Sequence, residues 1–168
     1  MTVLTVAKAP IAGRVKTRLC PPLSPVQAAD AAAAALLDTL GAAAGCRSRS
    51  MVALHGDPEA AQRPQAVRRA LALHTVIPQR GNGFAARLVA AHADAGADGP
   101  VLQIGMDTPQ VSTAMLTEAA LSLLRLTPMR SWVWHPMGAG GRWGCGRKPT
   151  RASCRTCRCR PRQQVSPR

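Results

Sequence analysis

Residues 3–18 read VLTVAKAPIAGRVKTR, and their reading decides the fold. Val3–Ala7 is a short apolar run with β-branched residues, the pattern of a buried first strand. A cationic loop follows at once, carrying Gly13, Arg14, Lys16, Thr17 and Arg18. The same sequence of events recurs downstream. Pro100–Gly105, PVLQIG, is the clearest buried strand of the chain, and it runs straight into Met106-Asp107-Thr108-Pro109. Both polar signatures therefore sit just past the carboxyl end of a strand, where open α/β sheets bind their ligands.

The stretches between them alternate helix with strand. Ser24 suits an N-cap, Pro25 the first helical position and Gly45 the end, and the intervening alanines favour helix. Ser50–Leu54 reads as a second strand. Pro58–Leu73 reads as helical with an interruption at Pro64, and His74–Pro78 as a third strand. Residues 81–96, GNGFAARLVAAHADAG, form a helix entered through glycines, and Thr113–Arg125 forms another. Such alternation predicts an α/β fold, a Rossmann-like three-layer α/β/α arrangement with a mostly parallel sheet.

Composition divides the chain near Leu126. A length of 168 residues allows one domain with a real core. The net charge of +14 would by itself point to polyanions. However, residues 127–168 hold ten of the 22 Lys and Arg and none of the eight Asp and Glu. The body, residues 1–126, is left with twelve cations against eight acids. Phe84 is its only aromatic residue, so it lacks the stacking platform of a single-strand binder. The N-terminus has no charged leader region or cleavage site, and Ala31–Leu37 is too short to span a bilayer. Cys20 and Cys46 suggest no disulfide framework. These features point to a cytoplasmic body with no membrane partner.

The loop chemistry suits phosphate. Gly13 permits a tight turn and close backbone approach, and Arg14, Lys16 and Arg18 can neutralise a di- or triphosphate. The spacing departs from the G-x-x-x-x-G-K-S/T of a P-loop, and a solvated basic loop is the plainer alternative. Asp107, at a strand end, is placed as carboxylates that hold Mg²⁺ or Mn²⁺ against substrate phosphates are. Its plainer alternative is a cap on the next helix.

Three ordered stretches, AKAPIAGRVKTRL (7–19), QRGNGFAARL (79–88) and VLQIGMDTPQ (101–110), resemble one family of GT-A fold, nucleotide-diphospho-sugar transferase superfamily proteins. That family is described as glycosyltransferase-like or linked to arsenosugar biosynthesis. It is similar to the guanylyltransferases of molybdenum-cofactor and phospholactate metabolism. The resemblance covers about residues 2–125. It implies a nucleotide or nucleotide-sugar substrate whose phosphates and base are held by Lys8, Gly13, Lys16 and Arg18. It further implies a supporting Arg87 and a divalent metal, Mg²⁺ or Mn²⁺, on Asp107. Asn82 stands where the family pattern leads one to expect an acid. Glycosyl transfer and nucleotidyl transfer both fit, and no general base is evident.

The family continues with a V-L-G-P-A-x-D-G-G-x-x-x-x-G stretch carrying a further acid. Here the chain reads TPMRSWVWHPMGAGGRWGCG (127–146), with no acid. Trp and Met have single codons ending in G. Read one base earlier, Trp132-Val133, Trp134-His135, Met137-Gly138 and Trp143-Gly144 force Gly, Ala, Gly and Gly, at the family's spacing. The tail is therefore read as the same gene in a shifted frame, with one base gained or lost within the codons for Leu121–Arg130. On this reading the chain lacks the last core strand and the second acidic loop. It is expected to be impaired as an enzyme, poorly soluble, and disordered over 127–168. The rival from another class is a protein acting through the basic tail. It would bind nucleic acid non-specifically, or zinc through His135, Cys145, Cys154, Cys157 and Cys159.

Overall fold

The computed structural model describes residues 1–126 and 132–133. Among these residues five strands form one sheet: β1 (Thr2–Lys8), β2 (Arg49–His55), β3 (Thr75–Pro78), β4 (Val101–Gly105) and β5 (Trp132–Val133). Their spatial order is β3-β2-β1-β4-β5, and every pairing among them is parallel. Four helices connect them: α1 (Pro25–Ala44), α2 (Pro64–Leu71), α3 (Gly83–Ala95) and α4 (Thr113–Leu126). This is the expected Rossmann-like α/β/α architecture. Trp132-Val133, a pair of strong strand formers, lies parallel to Leu102-Gln103 and covers part of the outer edge of β4.

The period-two alternation of β1 sorts its side chains between the layers. Val3 and Ala7 face α1, where Leu36, Leu40, Val52, Leu54, Val67 and Leu71 meet on one side and Ile104, Leu116 and Leu123 on the other. Leu4 and Val6 face α3, against Met51, Ala53, Ala91, Ala95 and Val101. Helices α1, α2 and α4 thus cover one face of the sheet and α3 the other. Phe84 and Val89 on α3, and Leu121 and Leu124 on α4, remain exposed to solvent.

Local signals explain most boundaries. Ser24 Oγ accepts from Gln27 N while Gln27 Oε1 accepts from Ser24 N, a reciprocal capping box that starts α1. Pro64 does not interrupt a helix. It begins α2, because a proline fits the first helical position without losing a hydrogen bond. Residues Pro58–Ala60 form a separate 3-10 turn.

Candidate functional site

Strand order reverses at β1. Its neighbours are β2 on one side and β4 on the other, so the loops after β1 and β4 lie side by side at the carboxyl edge of the sheet, where open α/β sheets have their binding crevice. The two sequence signatures occupy these loops. Lys8 ends β1, and its backbone N–H donates to Met106 Sδ at 3.2 Å, joining the first loop to the second. Its Nζ donates to the Arg14 carbonyl at 2.8 Å, so the basic loop curls back over the end of its own strand.

Two left-handed residues give that loop its shape, Gly13 at φ 73° and Lys16 at φ 50°. A glycine adopts this conformation freely, whereas for a lysine it costs about 1 kcal/mol. The Lys16 side chain is held from the other side of the crevice: its Nζ forms an ion pair with Asp107 Oδ2. The loop then tightens into the 3-10 turn Thr17–Leu19, with Arg18 pointing to solvent.

The second loop is fixed by hydroxyls. Thr108 is buried, its Oγ1 donates to the Gly105 carbonyl at 2.8 Å, and its N–H donates to Thr39 Oγ1 at 3.3 Å. The alternative role for Asp107, capping the next helix, is not what the structure has. Ser112 Oγ accepts from Met115 N at 3.2 Å and caps α4, leaving the Asp107 carboxylate to face Lys16.

One positioning residue escaped the sequence reading. Gln79 follows β3, and its Nε2 donates to the carbonyls of Ala7 at 2.8 Å and Ala53 at 2.9 Å. It ties the carboxyl ends of β1 and β2 together beside the crevice. A polar residue directly after a strand was the available signal, but nothing local distinguishes a strand clamp from a ligand contact.

The structure therefore brings together Lys8, Gly13, Arg14, Lys16 and Asp107, and sets Arg18 on the same loop. Arg87 lies apart on α3. It is half-buried with its Nε unpartnered, and among the described residues no hydrogen bond or ion pair joins it to Lys16 or Asp107. Asn82 sits at the N-cap of α3 with no side-chain bond to the helix. A shallow hollow on α2, lined by Arg63, Pro64, Gln65 and Arg69, involves none of these residues.

Among the described residues, the two loops carry Lys8, Arg14, Lys16 and Arg18 against one carboxylate, that of Asp107. No group of three His, Cys, Asp or Glu is assembled among the described residues, so they offer no all-protein metal cage. One carboxylate is nevertheless the donor set with which Mg²⁺ is held when phosphate oxygens and water complete its shell. The tail cysteines and His135 lie outside the described residues. Among the described residues no helix is long and apolar enough to cross a membrane.

Comparison with known proteins bears on the family and the fold. The family model described as an uncharacterized protein conserved in bacteria (DUF2064) matches residues 36–157. A solved structure from Desulfovibrio desulfuricans G20, provisionally named a nucleotide-diphospho-sugar transferase, superposes with a TM-score of 0.62 at 26% identity. The match covers 73% of this chain and 54% of that one, so the chain spans about half the length of the protein it resembles. No curated protein matches.

Proposed function

The chain belongs to the DUF2064 family of bacterial proteins, and from that premise we propose a metal-dependent, glycosyltransferase-like protein that takes a nucleotide-sugar donor. The observation that carries this reading is the convergence of Lys8, Arg14 and Lys16 with Asp107 at the β1/β4 crevice. Cations placed where negative charge develops stabilise a leaving diphosphate. Lys16 and Arg18 are the residues assigned that task, and Lys8 and Gly13 shape the loop around the phosphates. A bound Mg²⁺ or Mn²⁺ ion, held by Asp107, would supply Lewis-acid charge at phosphate oxygens. The name of the solved relative supports a sugar nucleotide.

The second reading within the fold is nucleotidyl transfer, which uses the same phosphate and metal contacts. The two separate in one experiment. Calorimetric titration of the full chain with UDP-glucose and with GTP, each with Mn²⁺, is expected to show saturable binding of at least one. Preference for the sugar nucleotide favours glycosyl transfer, and preference for the triphosphate favours nucleotidyl transfer. Absence of binding for both overturns the proposal.

The proposal includes impaired turnover in this chain, with the tail arising from a shifted frame. The exposed apolar residues of α3 and α4 and the short β5 accord with a sheet whose later part is missing. The family match, which runs past Leu126 to residue 157, pulls the other way. Resequencing the codons for Leu121–Arg130 decides between them.

A further inference from the structure

Asp107 faces a cation of its own chain. Lys16 reaches it from a left-handed backbone position, across the crevice between two loops that are themselves pinned by Lys8 and Thr108. The side chains of the pair are 35% and 43% exposed, so the contact is open to exchange with solvent and ligands. An exposed pair of this kind is worth little and can be displaced. A divalent cation arriving alone must displace the Lys16 ammonium, which is held at contact range of Asp107 and repels it. A ligand with phosphates changes the balance, because it gives Lys16 another anion and brings the metal further oxygens.

We infer that Lys16 serves Asp107 as a resident counter-ion, so that a divalent cation is captured there only together with a phosphate-bearing ligand. This rests on the phosphate-and-metal reading above and adds an order to it. By linkage, whatever factor phosphate adds to metal affinity, metal adds to phosphate affinity. The ion pair thus guards Asp107 against free Mg²⁺ and Mn²⁺ and couples the two halves of the substrate complex.

The test is water-proton relaxation with Mn²⁺ on the full chain, with and without inorganic pyrophosphate. This signal separates Mn²⁺ on protein from Mn²⁺–pyrophosphate in solution. The unmodified chain is expected to enhance relaxation only when pyrophosphate is present. Lys16→Gln is expected to take Mn²⁺ alone about tenfold more tightly than the unmodified chain, as the charge pair and the repulsion both disappear. Lys16→Asn should do the same, and asparagine tolerates the left-handed backbone, so a folding defect cannot account for a shared result. Adding Asp107→Asn to either variant should abolish the gain. If the Lys16 variants bind Mn²⁺ no better than the unmodified chain, the counter-ion role is overturned whatever pyrophosphate does, and the metal site stands if any of the proteins enhances relaxation. If no protein enhances relaxation under any condition, the phosphate-and-metal reading falls as well.

Discussion

Neutralising Lys8 and Lys16 together, as Lys8→Met and Lys16→Gln, is expected to weaken nucleotide-sugar binding by about a hundredfold. Hydrogen bonds to charged groups contribute roughly 1.5–3 kcal/mol each. Two lost at the low end give about 3 kcal/mol, which is the hundredfold stated. Lys8 adds an indirect effect, because without its bond to the Arg14 carbonyl the loop loses the contact that folds it over the strand end. The measurement is calorimetry at fixed ionic strength, since salt screens exposed charges over a Debye length of about 10 Å at 0.1 M. A cooperative melt equal to that of the unmodified chain verifies the fold. A change below threefold would remove this loop from the binding site. The Lys16 substitution thus has opposite signs for the two ligands, loosening the nucleotide while admitting the bare metal.

Leu36→Ala is the second large effect, and it acts on stability. Leu36 is completely buried where α1 meets β1, β2 and α2, among Ala7, Leu40, Val52, Leu54, Val67 and Leu71. Truncating such a leucine removes its transfer free energy and leaves a cavity, at a cost of about 3 kcal/mol. For a domain of this size that lowers the melting temperature by roughly 10 °C. Val26 on the same helix is 54% exposed, and Val26→Ala should fall within about 0.5 kcal/mol of the unmodified chain. Chemical denaturation of the pair measures the contrast. Equal stabilities would mean that α1 does not pack as described.

Much of this architecture was legible because its signals are local. The Ser24 cap, the proline at position 25 and the alanine run define α1 within one stretch of chain, and the apolar runs of β1 and β4 each announce themselves. The meeting of the two polar loops was legible too, since both follow buried parallel strands and so lie at the same carboxyl edge of the sheet. The Lys16–Asp107 pair was not legible. Its members lie 91 residues apart, and their meeting depends on β1 and β4 being neighbours, which no local pattern encodes. Gln79 was missed for the same reason, as its partners are carbonyls on two other strands. The role of Pro64 was misjudged because a proline reads alike as a helix breaker and as a first helical residue until the turn before it is known. Strand β5 was missed because its two residues lie in a segment whose composition argued against packing.

The position of β1 has a consequence for how the protein is made. It is synthesised well before one of its partners, β4, which ends only at Gly105. At about 5–20 residues per second, β1 and β2 wait on the order of ten seconds on the ribosome before β4 can close the other side. During that interval the apolar flank of the nascent sheet stays accessible to other chains. Slow translation between residues 56 and 100 would prolong that exposure. The yield of folded protein should therefore respond to codon usage in this interval more than to codon usage in the first 48 residues.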